Sequence, residues 1–131
     1  MDDILGKDNY SYEPIPDWAN LPPEVALGDV AGIAVDEKDR VYLFNRGNNP
    51  VVVLSPNGDV LSTWGHGVFA NPHGASIGPD QTIYLTDNFD HTVRKFSLDG
   101  KLLLTIGTAE VSSSFMSGKP FCKCTHSAVS P

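Results

Sequence analysis

An all-β fold of repeated four-stranded sheets is predicted by three observations: an ungapped internal repeat, four short apolar runs within each copy, and turn-forming residues between those runs. Gly32 to Gly65 superimposes on Gly74 to Gly107 at an offset of 42 residues. The matching pairs are Gly32/Gly74, Tyr42/Tyr84, Leu43/Leu85, Val51/Val93, Ser55/Ser97, Gly58/Gly100, Leu61/Leu103, Thr63/Thr105 and Gly65/Gly107. Conservative pairs such as Val35/Ile77, Val41/Ile83 and Leu54/Phe96 extend the match. Agreement at turn glycines and at apolar positions together, without a gap, marks a repeated structural unit.

In the first unit the strands are expected at Gly32 to Asp36, Val41 to Asn45, Pro50 to Ser55 and Val60 to Trp64, and the second unit repeats them. The separators Glu37-Lys38-Asp39, Arg46-Gly47-Asn48-Asn49 and Pro56-Asn57-Gly58-Asp59 carry turn chemistry; Asn57-Gly58 suits a tight hairpin with positive φ. Val51-Val52-Val53-Leu54 is continuously apolar, as a strand buried on both faces should be, and no stretch keeps helical periodicity over three turns. Four antiparallel strands in about 40 residues make one blade of a β-propeller, whose sheets pack face to face around a channel.

A third unit begins at Thr125-His126-Ser127-Ala128-Val129-Ser130-Pro131, which aligns with His73 to Pro79 after the longer linker Thr108 to Lys119. At the other end Tyr10-Ser11-Tyr12-Glu13 alternates like an edge strand that could close a ring. The expected division is therefore 1–29 as an extension with that strand, 30–66 and 67–107 as blades, and 108–131 as a linker and the start of a third blade. Two blades expose two apolar faces, and repeat folds generally need three or more units. Three explanations fit: a truncated product or fragment of a longer propeller, self-association of two-blade units with three copies giving six blades, or assembly with a second chain.

Composition bounds the function. The 131 residues carry a formal charge of −7, which opposes binding to a phosphate backbone, so nucleic acid is not an expected partner. No apolar run approaches the roughly 18 residues of a membrane span. Met1-Asp2-Asp3 lacks the basic and apolar regions of a signal peptide, so the chain as written reads as cytoplasmic; a secreted form stays open if a leader precedes it. The Asn9-Tyr10-Ser11 sequon does not decide the matter. Cys122 and Cys124 are too close in sequence for a relaxed mutual disulfide and are read as structural or incidental thiols.

Propellers place function at the channel mouth, on the innermost strands and the loops between them. Two residues stand out there. Arg46, in Phe44-Asn45-Arg46-Gly47, has a planar fork suited to a carboxylate, or is an exposed turn arginine. His73, in Asn71-Pro72-His73-Gly74, is a candidate metal ligand or proton-transfer group, or a turn histidine bonded to backbone. His66, His91 and His126 share no short ligand spacing, and Asp36, Asp87 and Asp90 read as turn and cap residues. Nucleophile-elbow, phosphate-loop and His-Glu-x-x-His motifs are absent from the sequence.

The run Gly32-Ile33-Ala34-Val35-Asp36, then Val41-Tyr42-Leu43, an apolar strand and Pro56-Asn57-Gly58 resembles the NHL repeat; the second copy carries the fuller form, Ile83 to Asp87 followed by His91 to Phe96. At Phe44 to Gly47, Pro72-His73-Gly74, Tyr84 to Asp87 with His91, and Phe121-Cys122 before Thr125, the chain also resembles peptidyl-α-hydroxyglycine α-amidating lyases, particularly bacterial ones that open with a Tyr-rich strand and a segment like Trp18 to Pro22. That resemblance implies the N-terminal part of a six-bladed propeller that cleaves a C-terminal α-hydroxyglycine to a peptide amide and glyoxylate. It implies that His73 is one of three histidine ligands of a zinc ion and that Arg46 is an active-site arginine. It further implies that the backbone carbonyls of Ile33 and Ala75 bind a structural calcium, and that Cys122 pairs with a cysteine in a later blade. The other zinc ligands, a catalytic tyrosine and a second arginine would lie in further blades. Neither metal is expected to be held tightly by these residues alone, and the chain by itself is expected to be inactive. The alternative reading is a non-catalytic NHL propeller module that binds partners and assembles with other copies or chains.

Overall fold

A computed structural model describes residues 4–131, and the described residues form ten strands and no helix. The first unit holds β3 (Val30–Val35), β4 (Val41–Asn45), β5 (Val51–Leu54) and β6 (Val60–Trp64), paired antiparallel in that order. The second holds β7 (Pro72–Ile77), β8 (Ile83–Asp87), β9 (Thr92–Phe96) and β10 (Leu102–Ile106), paired in the same way. These are the two propeller blades that the repeat predicts. Shifting β3, β4 and β6 by 42 residues gives β7, β8 and β10 residue for residue.

The blades join through a shared core. From the first come Ala34, Tyr42, Phe44, Val51 and Val53; from the second, Ala75, Ile83, Leu85 and Phe96. Phe69, on the connection between blades, meets Phe44 edge to face at 4.8 Å and Phe96 at 5.9 Å. The innermost strands β3 and β7 approach so closely that a side chain at Gly32 would stand 2.8 Å from the Ala75 nitrogen and 3.0 Å from the His73 oxygen. Only glycine fits that approach.

The same approach recurs one blade further on. A side chain at Gly74 would stand 2.5 Å from the Thr125 oxygen, and Thr125 aligns with His73. The opening segment of the third unit therefore stacks on β7 as β7 stacks on β3. It forms no strand, because no second strand of its own unit is present among these residues to pair with it. This seam is more polar than the first. Ser76, Thr86 and Ser127 stand where the first seam has Ala34, Phe44 and Ala75, and their buried hydroxyls have no hydrogen-bond partner.

The face of the first blade turned away from the second is not wholly open, contrary to the expectation of two bare faces. Trp18, Ala19, Leu21, Val25 and Leu27 pack across Leu43, Val52 and Leu54. This strap is pinned at the β5–β6 turn, where Asn20 N–H donates to Gly58 O at 2.8 Å and the Trp18 indole N–H to Pro56 O at 3.2 Å. The Tyr10–Tyr12 segment does form a strand, β2, but it pairs with β1 (Leu5–Lys7) in an exposed hairpin of its own and with neither blade.

Candidate functional site

Antiparallel pairing puts the start of each innermost strand beside the end of the second strand: Val30 pairs with Asn45, and Pro72 with Asp87. Arg46, just past β4, and His73, at the start of β7, therefore share one end of the blades. They are also linked. Arg46 Nε–H donates to the carbonyl of Pro72 at 3.1 Å, one residue before His73.

His73 sits in a β-bulge, because the β7–β8 register shifts between Pro72 and Gly74. The bulge belongs to the repeat: the β3–β4 register shifts between Val30 and Gly32, at Ala31. Bulges re-aim a side chain out of the ordinary alternation. Across the three units the position reads Ala31, His73 and Thr125, so only the second blade presents an imidazole there. The ring is half-buried.

Arg46 is exposed and only partly committed. Its Nε is taken by Pro72 O, and its Nη1 lies 3.6 Å from the exposed carboxylate of Asp29. With Nε engaged, a carboxylate would be met end-on by the two terminal nitrogens. The Asp29 contact competes weakly, since exposed ion pairs are worth little.

Ile33 and Ala75 occupy equivalent positions on the two innermost strands, paired with Leu43 and Leu85. Each strand is the inner edge of its sheet. Among the described residues no group of three His, Cys, Asp or Glu side chains could hold a metal ion. His73 alone does not make a zinc site, and carbonyls of two blades do not complete a calcium site.

Two of the other histidines, His66 and His91, have local roles. His66 Nδ1 lies 3.0 Å from Asn48 O, and His91 Nδ1 accepts the Lys123 N–H at 3.0 Å, fixing the linker's return. Both cysteines are free thiols. The Cys124 thiol lies 3.5 Å from the carbonyls of Asp87 and Thr92, and burial pushes its pKa up, as for a structural thiol. Cys122 is exposed.

Two features escaped the sequence reading. The bulge has no signature in residue type: the 42-residue offset sets Ala31 against His73, which gives their equivalence and not the register shift. Asn45, which no motif singles out, is a fully buried hub for the loops at this end; its repeat equivalent Asp87, expected as a turn and cap residue, does cap four backbone N–H groups there.

Blades of this topology with these motifs define an NHL-repeat β-propeller. Within that class the chain is similar, over most of its length, to peptidyl-α-hydroxyglycine α-amidating lyases. It is 32% identical over 133 residues to peptidyl-alpha-hydroxyglycine alpha-amidating lyase 1 of Drosophila melanogaster, covering 80% of this chain and 24% of that protein. Peptidyl-glycine alpha-amidating monooxygenase B of Xenopus laevis is 28% identical over 156 residues, covering 99% of this chain and 17% of the relative. Human NHL repeat-containing protein 3 is 35% identical over 96 residues, covering 66% of the chain and 27% of the relative. The chain thus spans about a quarter or less of the length of these curated relatives. No family model matches it. Among the described residues no helix is long and apolar enough to cross a membrane.

Proposed function

We propose that these blades supply one edge of the catalytic mouth of an amidating lyase, a six-bladed propeller whose other blades come from elsewhere. The observation that carries this reading is the Arg46–Pro72 hydrogen bond, which joins the candidate substrate arginine to the bulge bearing the candidate ligand His73. The substrate class is a peptide ending in α-hydroxyglycine, and the products are a peptide amide and glyoxylate. A bound zinc ion would polarise the substrate hydroxyl. His73 would hold that ion from one side with two histidines of other blades, and the terminal nitrogens of Arg46 would orient the substrate carboxylate. The carbonyls of Ile33 and Ala75 would contribute to holding a structural calcium ion together with groups of further blades. The described residues alone would be inactive.

Similarity to an NHL repeat-containing protein favours a second reading, a non-catalytic propeller module that binds partners at the same mouth. The two separate on His73. In a natively purified assembly with its ring complete, the lyase reading expects stoichiometric zinc and loss of both zinc and amide formation in His73→Ala. A zinc-free assembly whose activity is indifferent to that substitution leaves the binding module.

A further inference from the structure

We propose that Asn45 and Asp87 are paired positioning residues for the Arg46–His73 edge, two hubs of different hydrogen-bond polarity. The proposal rests on reading Arg46 and His73 as site residues. Both hub side chains are fully buried and occupy the same position in their repeats.

The Asn45 amide works in both directions. Its Oδ1 accepts the N–H groups of Gly28 at 3.0 Å and Gly47 at 2.8 Å, and its Nδ2 donates to Asn49 O at 2.7 Å and Pro50 O at 3.2 Å. The Asp87 carboxylate only accepts. It takes the N–H groups of Ala70 at 2.6 Å, Asn71 at 3.0 Å, Phe89 at 3.1 Å and Asp90 at 3.0 Å.

Gly28 and Ala70 are themselves repeat-equivalent, so each hub ties the segment entering its innermost strand to the turn leaving its second strand. In the first blade the tied turn carries Arg46. In the second, the tied segment Ala70-Asn71 runs directly into Pro72 and His73. The Arg46–Pro72 bond then joins hub to hub. Slack at Asp87 lets Pro72 and His73 move away from Arg46 together.

The polarity makes the hubs non-interchangeable. Asparagine at 87 would aim an NH2 group at N–H donors, and aspartate at 45 would set a carboxylate against two carbonyls. A buried polar group left facing its own kind is costly, and bonds to a charged acceptor are the stronger ones lost.

The test uses the full 131-residue chain, isotopically labelled, followed by NMR. Asp87→Asn is expected to speed amide exchange at Ala70 and Asn71 by roughly tenfold or more. It should also shift the His73 ring resonances and accelerate exchange of the Arg46 Nε proton. Asn45→Asp should act on Gly28, Gly47 and Arg46 first, moving His73 less. Asp36→Asn removes a buried carboxylate at the opposite end of the first blade and separates positioning from general destabilisation: it should leave the His73 and Arg46 signals in place. Should Asp87→Asn not fold, Asp87→Ser keeps an acceptor whose single hydroxyl proton can rotate away from the N–H groups, and it gives the same readouts. Unmoved His73 and Arg46 signals in the Asp87 variants, or equal movement in Asp36→Asn, overturn the proposal. These readouts involve no metal and no turnover, so they fail separately from the lyase reading.

Discussion

Asp36 shows how a turn carboxylate becomes a structural charge. Its oxygens accept the N–H groups of Lys38 at 2.9 Å and Arg40 at 3.0 Å, the Arg40 Nε–H at 2.6 Å and the Tyr42 hydroxyl at 3.1 Å. Burial alone would raise its pKa, but these donors outweigh it and hold the carboxyl below its ordinary value. Tyr42 answers in the other direction, pushed up to about 12 by burial and by the facing carboxylate. A depressed carboxyl pKa means that the unfolded chain binds the proton first as pH falls. The Asp36 contribution is therefore complete at neutral pH and fades once pH drops below the unfolded value of 3.8 toward the lower folded value. Asp36→Asn should cost about 2 kcal/mol at pH 7, and the gap to the native chain should narrow by pH 3. Urea denaturation at the two pH values measures this; a gap independent of pH removes the electrostatic account. The residue scale was partly legible. The turn at Asp36 and the candidates Arg46 and His73 could be read from residue type and repeat position, whereas the donors that gather round a carboxylate depend on backbone geometry that no local pattern states.

Strands and strap differ in legibility for a physical reason. The eight blade strands announce themselves because apolar runs alternate with Gly, Asn, Asp and Pro turns at a fixed period, and Gly58 turns at φ 87° where Asn57-Gly58 implied it. The strap carries no such pattern. Its Pro-rich, non-periodic run from Trp18 to Leu27 has no strand or helix to predict, and its role exists only as contact with Leu43, Val52 and Leu54. Two substitutions separate its contribution from that of the sheet. Leu54→Ala, at a fully buried position in both sheet and strap contacts, should cost about 3 kcal/mol. Trp18→Ala removes half-buried surface and the bond to Pro56 O, and should cost about 2 kcal/mol. Thermal and urea melts of the two variants check these values. A Trp18→Ala chain as stable as the parent means that the strap rests on the blade without holding it.

At the scale of the whole molecule, the two copies of one position tell what each blade expects beside it. Ala75 and Ile77 of the second blade lie in the core shared with the first. Their counterparts Ile33 and Val35 are 60% and 53% exposed, on the same face that the strap covers further out. Propeller blades splay with distance from the axis, so a strap filling the outer part of the wedge and a bare apolar strip at the inner part together fit a further blade docking on Ile33 and Val35. At the opposite end, Thr125 already stacks on Gly74, so growth is provided for on that side too. Burying Ile33 and Val35 is worth roughly 1 kcal/mol or more each, and an aspartate at either place would carry a charge into the seam at far greater cost. The double substitution Ile33→Asp, Val35→Asp should therefore leave the circular dichroism and melting of the single 14.1 kDa chain close to the parent's, because both side chains are exposed in it. It should abolish association with further blades. Sedimentation across a micromolar concentration series reads this directly: the parent is expected to exceed the single-chain mass and the variant to stay at it. A parent chain that stays folded and monomeric throughout would show that two blades and a strap suffice, and that Ile33 and Val35 await nothing.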